Sequence, residues 1–167
     1  MPIEIKRSSL APTGLSLEEA RYAIMSEIPT AAELTEHLVT IAGGAQQQAR
    51  GESVRLKSEF AAHGAARSTR LIIAVSGRVD AIHRQTLAEA MSVVLDFARR
   101  MQFDVRQTVA LVRPHLEDLG NLLLAEIPAA GSGAEQLRFR AQYGEVFDLR
   151  LDRALRDLAA SLSPPAG

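Results

Sequence analysis

The hydrophobic pattern of this chain is dominated by one long amphipathic stretch at residues 68–101. Apolar residues recur there at steps of three and four, apart from a slip near Thr86, and this spacing is typical of one face of an α-helix. They are Ile72, Val75, Val79, Ile82, Leu87, Met91, Val94, Ala98 and Met101. One helix of this length would span about 50 Å. The pattern therefore predicts a bundle whose other helices lie along a central helix at 68–101.

Three further segments begin with a helix-capping signature, in which a short polar side chain and a Glu or Gln three residues later bond the free backbone N–H groups. The signatures lie at residues 16–19, 30–33 and 104–107. They predict a helix that ends at Pro29, one that ends near Gly64, and one that runs from about 105 to 127. Glycines at 43, 44 and 51 predict a break, a kink or a mobile section in the second of these.

The C-terminal third allows two interpretations. Residues 137–143 and 147–152 alternate between apolar and polar, and Gly144 with Glu145 would form the turn of a β-hairpin. Alternatively, an apolar stripe made of Phe147, Leu151, Leu155, Leu158 and Leu162 predicts a helix. We favour helix from about residue 134 with an interruption near Gly144, and residues 137–151 remain open between helix and hairpin.

The predicted fold is all-α or nearly so. We expect an antiparallel bundle of five or six helices around the long central one, with a possible short N-terminal strand or the C-terminal hairpin. The expected organisation is a tail at 1–15, one helical domain at 16–163 with a flexible joint at 129–133, and a tail at 164–167. Pro114 falls inside the predicted fourth helix, where it either kinks that helix or starts a new one.

The composition excludes several classes of protein. The 167 residues include no cysteine, so disulfide scaffolds, thiolate metal sites and cysteine nucleophiles are excluded. No apolar run approaches the roughly 20 residues of a membrane span, and the N-terminus lacks the pattern of a signal peptide, so we expect a cytoplasmic protein. A net charge of −1 gives no general indication of nucleic-acid binding.

Histidine is the main candidate for chemistry. Each of the four histidines, which are His37, His63, His83 and His115, has a carboxylate within one helical turn. Di-metal helical bundles use such pairs, but their usual Glu-x-x-His order is absent here. We therefore predict no metal and no cofactor. His83 is separately notable because it lies within the central helix beside Asp80 and Arg84. A phosphorylated histidine or one that titrates as a pH switch would have such neighbours, and so would an ordinary partly exposed histidine.

No catalytic signature is present: the serines lack a nucleophile-elbow context and the glycines lack a phosphate-binding pattern. We expect a non-enzymatic interaction or adaptor protein that self-associates or binds another protein through apolar helix faces. Four residues are predicted core or interface anchors, and three arginines would set partner choice. The anchors are Ile72, Val75, Val79 and Ile82, and the arginines are Arg70, Arg78 and Arg84.

Three alternatives to this function remain. The first is a regulatory bundle that senses a small apolar ligand held between its helices. The second is nucleic-acid binding through the arginine-rich helix at 67–100, because guanidinium groups bind phosphates. The third is a di-metal bundle built from carboxylates and histidines.

Overall fold

The computed structural model describes residues 30–128 and 133–163. They form four helices: α1 (Ala31–Ala62), α2 (Thr69–Met101), α3 (Val105–Ala125) and α4 (Gly133–Leu162). No strand occurs within these two ranges, which confirms the all-α prediction for them. They contain four helices rather than five or six. The predicted helix ending at Pro29, the possible N-terminal strand, the two tails and most of the predicted joint lie outside the described residues.

The helices begin where the capping signatures predict. Thr30 Oγ1 accepts a hydrogen bond from the backbone N–H of Glu33 at 3.2 Å, and the Glu33 carboxylate accepts one from the N–H of Thr30. Asp104 and Gln107 form the equivalent reciprocal pair before α3. After α1, Gly64 adopts a left-handed conformation with φ of +70°, which glycine takes without steric cost.

Of the three alternatives for residues 43–51, the break is wrong, because α1 is one helix through all three of its glycines. The residues between the glycines explain this result. Ala42, Ala45 and Ala49 are buried in the core, and alanine has the highest helix propensity. Their burial and propensity outweigh the cost of about 1 kcal/mol for each glycine in a helix.

In the C-terminal third the favoured prediction of a helix from about residue 134 is confirmed, because α4 begins at Gly133. The alternative hairpin is wrong, and so is the predicted interruption near Gly144, because α4 is continuous. The apolar stripe from Phe147 to Leu158 is buried, whereas Leu149, which lies off that stripe, is 70% exposed. A Cβ at Gly144 would lie 3.6 Å from Leu124 Cδ1, so this glycine lies where α3 packs closely against α4. Similarly, α3 runs through Pro114 without restarting.

The four helices form a bundle in which α2 and α3 contact each other and both of the remaining helices, whereas no Cα atoms of α1 and α4 lie within 8 Å of each other. Connections at 63–68 and 102–104 join consecutive antiparallel helices. The helices α2 and α4 are parallel neighbours, because Thr69 at the start of α2 donates to Glu135 at the start of α4 at 3.0 Å and Asp80 further along α2 pairs with Arg150 further along α4. This pairing brings the midpoints of α2 and α4 together.

Two apolar clusters fill the interior. One combines Ala42, Ala45 and Ala49 of α1 with buried residues at 71–82 of α2 and at 119–127, which lie in the last turns of α3 and just after it. The other combines the start of α1 with residues 87–97 of α2, 112–116 of α3 and 151–158 of α4. Residues 83–86 of α2 lie between the parts of α2 that contribute to the two clusters, and His83 and Thr86 are buried there. The core thus has a polar layer at its middle.

Candidate functional site

The predicted anchors and arginines occupy different environments. Ile72, Val75, Val79 and Ile82 are buried in the bundle core, which is one of the two roles predicted for them. A partner could reach them only if the bundle opened.

The three predicted arginines are exposed on α2. Arg78 Nε lies 3.8 Å from the Glu52 carboxylate, and Arg84 Nη2 lies 3.1 Å from Oδ2 of Asp80. Only the arginines are therefore accessible to a partner, and two of them already contact a carboxylate.

The four histidines separate clearly by burial. His37 and His63 are exposed and His115 is half-buried, whereas His83 is 1% exposed. Across residues 30–128 and 133–163, no group of three or more histidine and carboxylate side chains could hold a metal ion. The di-metal alternative has no geometric basis in this part of the chain, and His83 becomes the histidine of interest.

The imidazole of His83 lies against a phenylalanine from α4. The rings of His83 and Phe147 are parallel within 1°, with centroids 3.8 Å apart. Gly120 of α3 faces this stack: a Cβ there would lie 3.6 Å from Phe147 Cδ2 and 3.9 Å from His83 Nε2. Three helices thus enclose the ring, and the small residue on α3 leaves room for the stack.

Arg150 of α4 connects this stack to Asp80. Its guanidinium donates to Nδ1 of His83 at 2.8 Å and to Oδ1 of Asp80 at 2.7 Å. Arg84 donates to the other carboxylate oxygen of Asp80 at 3.1 Å. Because a guanidinium can only donate, Nδ1 of His83 must accept, so the ring is neutral and carries its proton on Nε2.

The electrostatics of the network favour these protonation states. Burial, followed by the positive charge of Arg150, lowers the pKa of His83 to about 4, although the charge of Asp80 acts in the opposite direction. Burial also acts to raise the pKa of Asp80, but the hydrogen bonds and charges of Arg150 and Arg84 outweigh it and hold that pKa below its ordinary value. At neutral pH the network therefore contains a neutral imidazole and a carboxylate between two guanidiniums.

Beside this network, α2 and α4 leave a groove of about 500 Å³. Its apolar lining consists of Leu87, Ala88, Met91, Leu95, Ala154 and Leu158. Three guanidiniums line the end next to the network, and they belong to Arg84, Arg150 and Arg153. The carboxylate of Asp157 and the hydroxyls of Ser92 and Ser161 complete the lining. From Arg84 to Leu95 the groove follows α2 for about 17 Å, at about 1.5 Å per residue. We call this feature the α2–α4 groove.

The sequence identified only the α2 half of this site. His83, Asp80 and Arg84 are visible as neighbours on one helix, whereas Arg150 lies 67 residues from His83 along the chain. Phe147 was identified only as a member of an apolar stripe. The available signal was an arginine one turn after an aromatic residue on the buried face of a helix, which has no unique interpretation.

No protein-family model matches the chain, and no characterised protein or solved structure proves similar to it. The function must therefore be inferred from the site itself. None of the four described helices has both the length and the apolar character that a membrane crossing requires.

Proposed function

We propose that this protein is a non-enzymatic interaction protein that binds an acidic amphipathic α-helix of another protein in the α2–α4 groove. The observation that carries the proposal is the combination of an apolar lining with three guanidiniums at one end. Neutral His83 supports a binding role, because its ring is 1% exposed and its Nδ1 already accepts a hydrogen bond from Arg150. A general base must instead reach a proton of the substrate.

The shape of the groove fits a helix. A docked amphipathic helix places side chains at i, i+4 and i+7 along one apolar groove. The groove length of about 17 Å corresponds to roughly three helical turns. The half-buried Met91 and Leu95 on α2 and Ala154 on α4 would lie beneath such a face, and methionine adapts readily to differently shaped partners.

The positive charge at the end of the groove next to the His83 network favours an acidic partner. Arg84, Arg150 and Arg153 bring three guanidiniums to the groove. Two carboxylates oppose them: Asp80 pairs with Arg84 and Arg150, and Asp157 lines the groove one turn after Arg153. The balance of charge at the groove is therefore positive. Carboxylates are favoured in the first turn of a helix because the helix dipole is positive there. A helix with Glu in its first turn would therefore complement both the apolar lining and the charge.

The test uses a designed 14-residue peptide with Leu at i, i+4, i+7 and i+11 and two Glu residues in its first turn. Amide chemical-shift mapping on the full-length chain should show binding confined to residues 84–95 and 150–161. A second peptide, with Lys in place of both Glu residues, should bind at least tenfold more weakly, which corresponds to about 1.4 kcal/mol.

A matched pair of variants separates the groove from general electrostatics. Arg153→Glu reverses a charge that lines the groove, whereas Arg156→Glu makes the same change on the same helix at an exposed position outside the groove lining. The first should weaken binding of the acidic peptide at least tenfold and the second less than twofold. Equal effects of the two variants would contradict the proposal.

Two other occupants are outcomes of the same experiment. If the groove amides shift with protein concentration and light scattering shows a dimer, a second copy of the chain occupies the groove. If dodecanoate shifts these amides but the peptide does not, the small-ligand alternative is correct, because the volume of about 500 Å³ also suits a small molecule. Either outcome would overturn the helix-docking proposal.

Nucleic-acid binding is less favoured by the geometry. Arg78, Arg84 and Arg100 each form an ion pair with a carboxylate, at 3.8, 3.1 and 2.9 Å. The carboxylates reduce the positive potential that would attract phosphates. Retention on immobilised DNA at low salt would nevertheless restore this alternative.

A further inference from the structure

We infer that His83 is a proton-operated latch for the α2–α4 groove: its neutral ring holds Arg150 at the end of the groove, and a proton on Nδ1 releases Arg150. This inference rests on the proposed docking function for its significance, because it concerns regulation of the same groove. The release itself is a property of the unliganded protein.

The geometry makes protonation and the hydrogen bond mutually exclusive. A neutral imidazole with its proton on Nε2 can take a second proton only at Nδ1. That nitrogen accepts the hydrogen bond from Arg150 at 2.8 Å. A proton on Nδ1 would therefore remove the acceptor and place a second cation next to the guanidinium.

Arg150 links the latch to the groove. Its side chain is 23% exposed and lines the groove, while its guanidinium bonds both His83 and Asp80. After release it would keep the hydrogen bond to Asp80, which also binds Arg84, and its contact with the Phe147 ring, whose centroid lies 5.7 Å from Cζ. A guanidinium that is no longer held in one orientation is less preorganised for an acidic partner, so acid should weaken docking.

The charges around His83 can be assigned to each neighbouring helix. From its own helix, Asp80 and Arg84 belong to the network, and from α4 Arg150 approaches the ring. The α3 residue next to the ring is Gly120, which carries no charge, and α4 also contributes the face of Phe147. Only Asp80 would favour a protonated ring, and it already neutralises arginine charge. Burial and Arg150 lower the pKa of His83 to about 4, so the latch opens only in acid.

The experiment is a side-chain NMR titration of the full-length, uniformly ¹⁵N-labelled chain from pH 7 to pH 3.5, without any ligand. At pH 7 the ¹⁵N shifts should show His83 with its proton on Nε2. As pH falls, the Nε–Hε signal of Arg150 should move with the same midpoint as His83, below pH 5. The amide chemical shifts of residues 42–56 in α1 should stay unchanged over that pH range.

His83→Gln provides the matched variant, because its amide oxygen can accept from Arg150 but does not titrate. The Arg150 signal in this variant should stay fixed over the same pH range. If that variant does not fold, the wild-type titration is decisive on its own.

Three results would overturn the latch. The first is a proton on Nδ1 at pH 7, the second is titration of His83 without movement of Arg150, and the third is cooperative loss of all amide signals before Arg150 moves. None of them involves the peptide. The latch can therefore fail while the peptide binds at pH 7, and the docking proposal can fail while Arg150 follows His83.

Discussion

The central helix α2 packs against two neighbours in contrasting ways. Toward the middle of α1 the interface is lined by small side chains, because Ala42, Ala45 and Ala49 belong to the same buried cluster as Val75 and Val79. Toward α4, the side chains of His83, Phe147 and Arg150 occupy the middle of the interface. From there toward the C-terminal ends of both helices, the groove remains open.

This contrast separates stability from candidate function. Small apolar side chains allow two helices to pack closely and leave no room for a ligand. On the α4 side, two rings and a guanidinium occupy the contact and bring hydrogen-bonding groups to the edge of a concave surface. The α1 side of α2 is therefore expected to be sensitive to volume, and the α4 side to pH and charge.

The largest expected effect is the loss of stability in acid through the α4 side. The pKa of His83 is lowered to about 4 in the folded chain, while an unfolded histidine has a pKa of about 6.5. The unfolded state therefore binds more protons between these values, and the free energy of unfolding falls as pH falls. The full contribution is present above pH 6.5, and about 3 kcal/mol should be lost by pH 4.

Urea unfolding at pH 7, 5 and 4 measures this loss. His83→Gln should remove most of it, whereas His37→Gln, at an exposed position on α1, should retain it. If the two variants show the same pH dependence, the acid sensitivity does not come from the α2–α4 contact.

The next effect distinguishes the two interfaces by volume. Ala49 is fully buried on the α1 side, whereas Ala154 lines the groove on the α4 side. Ala49→Leu should lower the free energy of unfolding by about 2 kcal/mol, because extra methyl groups in a filled core cause strain. Ala154→Leu should change it by less than about 0.5 kcal/mol, the range typical of surface positions. Equal losses in urea unfolding would mean that the groove is not open space.

The smallest effect concerns the glycines of α1. Gly44 is exposed in the helix, and a Cβ there would meet no atom within 4 Å. Gly44→Ala should therefore raise the free energy of unfolding by about 0.8 kcal/mol through helix propensity. Gly64→Ala is the control with the opposite sign, because residue 64 has φ of +70°. Thermal melts of both variants would show whether α1 is ordinary helix at this point.

Local signals in the sequence predict the helices well but not every boundary. The caps at Thr30 and Asp104 depend on residues three positions apart, so they can be identified without tertiary information. The segment around Gly144 fits both the alternating pattern of a strand and the spacing of a helix. Only the tertiary structure, which buries Phe147 and Leu151 and leaves Leu149 exposed, shows that the helix applies.

The site could be predicted only in part, for a reason of topology. Asp80, His83 and Arg84 share one helix, so their proximity follows from spacing alone. Their contact with Arg150 depends on α4 lying parallel to α2, and an apolar stripe does not specify its neighbour. The apolar stripe of α2 could likewise belong to the core or to an interface, and only the fold places Ile72 and Val75 in the core.

The parallel pairing of α2 with α4 also has a consequence for how the chain acquires its site. The α1–α2 contacts join segments that are close along the chain, so they can form early in folding. The His83–Arg150 contact closes a loop of 67 residues, and such distant contacts form more slowly because loop closure costs entropy. During synthesis on the ribosome α4 emerges after the other three helices. Until α4 docks, the apolar side of α2 that α4 covers stays exposed, so the chain would itself dock a helix at that side after its first three described helices have formed.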